Sequence, residues 1–210
     1  MTSMDRRIYV DFDDILCETA RGFTEVLERE FGKRVAFEEI FSFDLGRSFG
    51  LSPEDVAELM RRMHEADVLA KLQPVKGAIP AVQRWRRAGF EVDVVTGRPP
   101  STRDVSEQWL AAHGLPFSVL IFVDKYARGH KDHGATRVVA LSELCRMQFR
   151  FAVEDSPGMV RFLAENMSMP VAVLNRPWNA DELGVRPDAA PRVHRCRDWA
   201  EIAGLFRPDV

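Results

Sequence analysis

Three carboxylates follow directly on a short apolar run near the start of the chain. Residues 8–10 form a predicted buried strand, and Asp11, Asp13 and Asp14 lie within the next four positions. These carboxylates would repel one another unless a cation offset their charge, and oxygen ligands of this kind suit Mg²⁺. An aspartate held beside a metal at a strand end can also attack phosphorus. The simpler alternative is a surface turn with solvated charges.

A second predicted strand ends in groups that suit a phosphate. Residues 91–95 form the strand, and Thr96, Gly97 and Arg98 follow it. A threonine hydroxyl can donate a hydrogen bond to a phosphoryl oxygen, and an arginine offers it positive charge. We therefore expect Thr96 to take part in catalysis, and Gly97 and Arg98 to contact the substrate.

A third predicted strand, in residues 149–154, ends in paired carboxylates. Glu154 is its last residue, and Asp155 comes next. If this strand is parallel to the first, its carboxyl end reaches the same edge of the sheet as Asp11. Asp155 could then complete the metal shell there. A nucleophile, a hydroxyl donor and metal ligands are together the groups that phosphoryl transfer needs.

With its motifs in this order, the chain resembles the haloacid dehalogenase-like hydrolase superfamily. Asp11 and Asp13 stand as the first motif, Thr96 as the second, a lysine as the third, and Glu154 with Asp155 as the fourth. The resemblance implies that Asp11 is the nucleophile and Asp13 the general acid/base. It also implies that Mg²⁺ is held by Asp11, Asp155 and the backbone carbonyl of Asp13. Dehalogenating members lack the second aspartate, so Asp13 favours phosphoryl chemistry over carbon–halogen cleavage.

Two lysines compete for the third motif. Lys125 lies two residues after the apolar run 119–123, near the end of a predicted strand. Lys131 precedes a predicted helix at 135–146, and the lysine of the superfamily usually opens the helix before the fourth motif. We therefore favour Lys131 as the catalytic lysine and keep Lys125 as the alternative.

Composition indicates an ordinary globular enzyme. Hydrophobic residues make up 46% of the 210 positions and charged residues 29%. A net charge of −3 gives no reason to expect a nucleic-acid polymer or a membrane as a partner. The three cysteines lack metal-ligand spacing, and the first residues lack the pattern of a signal peptide. We expect a cytoplasmic protein with a small phosphorylated substrate, and its oligomeric state stays open, with a homodimer as one option.

Periodicity and turn residues predict an α/β fold. The expected architecture is a Rossmann-like parallel sheet covered by helices on both faces, because strands and helices alternate after residue 73. Besides the strand that precedes Asp11 and the strand at 91–95, strands are predicted at 118–123, 149–154 and 170–174. Helices are predicted at 18–31, 53–69, 78–88, 102–112, 135–146 and 157–166.

One segment interrupts this alternation. Residues 17–73 are mostly helical in pattern and have the size of a helical cap inserted after the first motif, which leaves 1–16 and 74–210 as the core. A cap would exclude water from the site and select the substrate. Phe43 is a candidate substrate contact in this cap, although a role in a local hydrophobic core is the more common one for phenylalanine.

The residues that follow the last predicted core strand narrow the resemblance to one branch of the superfamily. Residues 175–179 contain Pro-Trp-Asn, which is similar to the 5'(3')-deoxyribonucleotidase-like branch of the superfamily. We therefore expect a Mg²⁺-dependent phosphomonoesterase that forms an aspartyl-phosphate and acts on a nucleotide or another small phosphorylated metabolite. A phosphotransferase, a phosphonate-cleaving enzyme and a catalytically weak protein that binds a phosphorylated ligand are the alternatives.

Overall fold

A parallel sheet forms the centre of the computed structural model, which describes residues 6–125, 129, 131–181 and 183–207. Within these residues the sheet has seven strands, all parallel to their neighbours. The strands are β1 (Arg7–Asp11), β2 (Glu91–Thr96), β3 (Val119–Val123), β4 (Val138–Val139), β5 (Ala152–Glu154), β6 (Val171–Leu174) and β7 (Val193–Cys196). Their order across the sheet is β4-β3-β2-β1-β5-β6-β7, so β1 lies at its centre between β2 and β5.

Helices cover both faces of the sheet. They are α1 (Thr19–Phe31), α2 (Leu45–Phe49), α3 (Pro53–Met63), α4 (Ala66–Leu69), α5 (Ala78–Arg87), α6 (Arg103–Ala112), α7 (Leu141–Leu144), α8 (Pro157–Asn166) and α9 (Trp199–Leu205). Successive residues of a strand point to opposite faces. Ile8 of β1 shares an apolar cluster with Trp85 and Trp109, whereas Tyr9 belongs to a second cluster with Leu163. The predicted α/β fold is thereby confirmed.

The helix predicted at 135–146 is wrong over most of its length. Val138 and Val139 instead form β4, which pairs with Phe122 and Val123 at the edge of the sheet. β-Branched residues favour an extended backbone where a neighbouring strand can bond them. Only the four-residue helix α7 remains of the predicted helix.

The helix predicted at 53–69 is interrupted after α3. Glu65 has extended backbone angles, and α4 begins at the next residue. Arg62 donates hydrogen bonds to Glu65 and to Asp67, so its guanidinium bridges the break. A side-chain network of this kind has no periodic signature in the sequence.

Helices α1 to α4 occupy the segment between β1 and β2, where a helical insertion is predicted. Their buried side chains, such as Leu27 and Leu59, belong to the same apolar cluster as Ile8 of the central strand. The insertion therefore packs directly on the sheet domain. No helix in the described ranges is both long enough and apolar enough to cross a membrane.

Candidate active site

The predicted site residues meet at the carboxyl edge of three adjacent strands. Asp11 ends β1, Thr96 ends β2, and Asp155 directly follows β5. All three side chains are buried. They come together because the strands are parallel and in register, with Asp11 opposite Val95 in β2.

A buried lysine joins two of the carboxylates at this edge. The Nζ atom of Lys125 lies 2.5 Å from Oδ1 of Asp11 and 2.8 Å from Oε1 of Glu154. Glu154 is itself held in place, since its Oε1 accepts from the hydroxyl of Tyr9 at 3.1 Å. Its Oε2 accepts from the backbone amides of Asp155 and of the next residue, at 2.8 and 2.9 Å. Glu154 therefore fixes the lysine that contacts Asp11.

The structure brings Lys125, and not the favoured Lys131, to Asp11. The side chain of Lys131 is exposed. That preference depended on a helix at 135–146. The structure forms β4 there, so Lys131 does not open a helix that leads toward the site. Lys125 follows β3, whose carboxyl end lies at the same edge of the sheet as Asp11.

The carboxylates at this edge lie in an environment that disfavours negative charge. Burial raises the pKa of Asp11 well above its usual value, and Glu154 raises it further, while Lys125 opposes both effects. Burial also raises the pKa of Asp155, with further contributions from Glu154 and Asp11. A nearby divalent cation would reverse this balance by favouring the ionised forms.

The donor set fits a hard divalent cation. Three carboxylate oxygens lie within 4.8 Å of one another, one from each of Asp11, Glu154 and Asp155. Oxygen-only clusters of this kind suit Mg²⁺ better than softer metals. Glu154 already accepts four hydrogen bonds, so Asp11 and Asp155 are the better candidates for direct ligands.

Asp13 is paired with Arg98. Nη2 and Nε of Arg98 lie 2.7 and 3.0 Å from Oδ1 of Asp13, and the Thr19 hydroxyl donates to the same oxygen at 2.6 Å. Burial opposes ionisation of Asp13, but Arg98 and the Thr19 hydrogen bond outweigh it and lower the pKa. The ionised form is the one that can accept a proton from water.

The role of Arg98 as a substrate contact stays a prediction; in the structure its guanidinium is paired with Asp13. Its side chain is 4% exposed and lies over the ring of Phe12, with Cζ 4.1 Å from the ring centroid. Nη1 of Arg98 donates to the hydroxyl of Ser106 at 3.1 Å. The guanidinium is thus held by the protein and directed at Asp13 rather than toward open space.

A pocket lies above these groups, between the sheet edge and the insertion. From the sheet domain it is lined by Asp11, Asp13, Asp14, Gly97, Arg98, Asp155 and Trp178. From the insertion it is lined by Thr19, Ala20, Phe23, Ile40, Ser42, Phe43, Leu45, Met60, Met63, His64 and Leu69. The side toward the insertion is therefore mainly apolar, and the floor is acidic.

Comparison with known proteins agrees with this geometry. Residues 5–133 match the family model described as 5' nucleotidase, deoxy (pyrimidine), cytosolic type C protein. The chain belongs to this family. The chain is also 22% identical, over 93% of its length and 90% of the relative's, to a protein of Halalkalibacterium halodurans named as a putative nucleotidase.

Solved structures of the haloacid dehalogenase type share the fold of this chain. A HAD family hydrolase from Deinococcus radiodurans, solved with bound phosphate and sodium, has a TM-score of 0.59 at 16% identity, covering 99% of this chain and 100% of that one. A haloacid dehalogenase-like protein from Streptococcus pneumoniae has a TM-score of 0.61 at 16% identity with the same coverage. The resemblance to this superfamily is confirmed, and the protein is a phosphatase of this type.

Trp178 lines the same pocket, although a structural role at the terminal helix is the one that its sequence position favours. Its indole Nε1 donates to Oδ2 of Asp155 at 2.7 Å, and its ring lines the pocket. The Pro-Trp-Asn motif that contains it follows β6, at the same edge of the sheet. That position was the available clue, because every strand end at this edge is a candidate for the site.

The two lysines provide a direct test of the site. We expect Lys125→Met to lower kcat/KM by about a hundredfold or more, the scale of one lost charge-stabilising partner. Lys131→Met is the matched control, and we expect it to keep wild-type kinetics because its side chain is exposed. Circular dichroism would show that both variants are folded. The opposite order of activities would return the role to Lys131.

Proposed function

We propose that this phosphatase hydrolyses phosphate monoesters through a phosphorylated Asp11 and depends on Mg²⁺. The observation that carries the proposal is the position of Asp11. Its carboxylate lines the pocket, contacts Lys125 and lies beside Asp155 at the edge of the parallel sheet.

Asp11, Asp155 and the backbone carbonyl of Asp13 are the groups that would hold the metal. A bound Mg²⁺ would neutralise charge on the phosphate and on the carboxylates around it. The mutual proximity of the acidic groups supports this proposal, because burial otherwise makes their combined negative charge costly.

In the first step, an oxygen of Asp11 attacks phosphorus, and the bond from phosphorus to the ester oxygen breaks. Asp13 gives a proton to the departing oxygen, and the approach of a phosphate dianion would raise the pKa of Asp13 and so favour its protonated form. In the second step, Asp13 takes a proton from water as the water oxygen attacks phosphorus. The bond from phosphorus to the Asp11 oxygen breaks, which releases inorganic phosphate and restores the carboxylate. Thr96 and Lys125 stabilise the phosphoryl oxygens in both steps.

The pocket favours a substrate with one phosphate and an uncharged remainder. Among the described residues that line it, the basic side chains are Arg98 and His64. Arg98 is paired with Asp13, and His64 also acts electrostatically on Asp13. A second phosphate would therefore meet an acidic floor and an apolar wall. A nucleoside monophosphate has this character, in agreement with the 5' nucleotidase family that the chain matches.

The insertion is proposed to act as a cap over residues 1–16 and 74–210.

The phosphonate-cleaving alternative requires a lysine in this cap that reaches the substrate. Nζ of Lys33 donates to the carbonyl of Gly50 at 2.9 Å, and Lys71 lies 3.9 Å from Asp67. Neither lysine lines the pocket, so the phosphatase reaction is the better supported one.

The nucleophile can be tested by a nearly isosteric substitution. We expect Asp11→Asn to abolish hydrolysis of a generic phosphate monoester, because an amide is a poor nucleophile and cannot replace a carboxylate at the metal. We also expect EDTA to abolish activity in the wild type and Mg²⁺ to restore it. Undiminished turnover in either experiment would rule out the proposed mechanism.

The cap can be tested with two neighbouring phenylalanines. Phe43 lines the pocket, whereas Phe41 is exposed and does not, with 57% of its surface accessible. We expect Phe43→Ala to raise KM for a nucleoside monophosphate by several-fold while changing kcat on a small ester little. Phe41→Ala is the matched control and should leave both substrates unaffected. Equal losses on both substrates in Phe43→Ala would limit Phe43 to packing within the cap.

A further inference from the structure

Trp178 lies between a candidate metal ligand and the aromatic side chains of the cap. Its side chain is nearly fully buried, and its Nε1 donates to Oδ2 of Asp155 at 2.7 Å. The rings of Phe37 and Phe43 contact it edge-on, with centroids 5.6 and 6.0 Å away. One indole thus contacts both the acidic floor of the pocket and the cap above it.

The residues near Trp178 in the chain bond to the two loops that carry the acidic floor of the pocket. Nε of Arg176 donates to the carbonyl of Asp14 at 3.0 Å. The side-chain amide of Asn179 donates to the carbonyl oxygens of Asp155 and Leu174, at 2.8 and 2.9 Å. The indole is therefore fixed relative to the loop that follows β1 and to the loop that follows β5.

The chemistry of the indole suits it to orient a metal ligand. Its N–H is a donor only and carries no charge, so it can hold a carboxylate without neutralising it. A cation in the same place would compete with a metal for the negative charge of Asp155. A hydrogen bond to one oxygen restricts rotation of the carboxylate and leaves the other oxygen for the metal.

We propose that Trp178 is a positioning residue for the metal, acting through Asp155. The proposal rests on the metal site of the proposed function. Hydrogen-bond partners of metal ligands contribute about tenfold to a hundredfold to metal affinity, and Trp178 falls in this class. Its contacts with Phe37 and Phe43 then connect the metal site to the cap.

Calorimetric titration with Mg²⁺ alone tests this inference without any substrate. We expect Trp178→Phe, which keeps an aromatic ring but removes the N–H, to weaken Mg²⁺ binding roughly tenfold or more. Trp85→Phe is the matched control, since the buried Trp85 donates to the carbonyl of Phe206 at 3.0 Å and not to a carboxylate. This variant should bind Mg²⁺ as the wild type does. Equal weakening in both variants, or none in Trp178→Phe, would overturn the inference.

A third variant separates failure of the inference from failure of the metal site. Asp155→Asn should lose most Mg²⁺ affinity; if it binds as tightly as the wild type, the proposed metal site is itself wrong. If Asp155→Asn loses affinity and Trp178→Phe does not, only the role of Trp178 is wrong.

An isosteric replacement covers the case in which Trp178→Phe does not fold. A benzothiophene analogue of tryptophan at position 178 keeps the size of the ring and replaces the N–H with sulfur. We expect it to weaken Mg²⁺ binding as Trp178→Phe does, and wild-type affinity would overturn the inference.

Discussion

The ammonium group of Lys125 joins two buried carboxylates on neighbouring strands, and the geometry of the site depends on this link. Asp11 and Glu154 end β1 and β5, and each lies within 2.8 Å of the same nitrogen. Removing one partner of such a buried group leaves an uncompensated charge, at a cost of about 3–5 kcal/mol. Glu154 is fixed by the Tyr9 hydroxyl and two backbone amides, so the position of Lys125, and with it that of Asp11, is set by the sheet.

Each remaining carboxylate of the floor has a partner of a different kind. Asp13 has the Arg98 guanidinium, and Asp155 has the neutral indole of Trp178. Asp14 accepts from the backbone amide of Ala20 at 2.9 Å, at the start of α1. Burial raises the pKa of Asp14 to about 7 in spite of this bond. The floor therefore combines one carboxylate kept ionised with others that would gain from a divalent cation.

Much of the site could be predicted from the sequence because its residues are local to strand ends. Asp11, Thr96 and Asp155 each follow an apolar run, and parallel strands bring such residues to one edge. Asp14 has a φ of 56°, in the left-handed region that aspartate and asparagine adopt more readily than most other residues. These features depend on positions close in the chain.

The parts that could not be predicted depend on contacts between distant positions. Lys131 was favoured because a helix was predicted at 135–146. Val138 and Val139 instead form a strand, because they pair with β3. The pairing of Arg98 with Asp13 joins positions 85 residues apart, and Ser106 and Phe12 also contact the guanidinium. The contact of Trp178 with Asp155 joins residues 23 positions apart. Composition and periodicity carry no information about such pairings.

We propose that Asp11 carries the phosphoryl group during the reaction. Rapid acid quenching of a single turnover, followed by mass spectrometry of the peptides, would detect this intermediate. We expect one transient phosphoryl group on the peptide that contains Asp11, formed and lost at rates that match turnover. Phosphorylation of another residue would contradict the proposal. Release of phosphate without any phosphorylated peptide, at time points early enough to resolve the first turnover, would also contradict it.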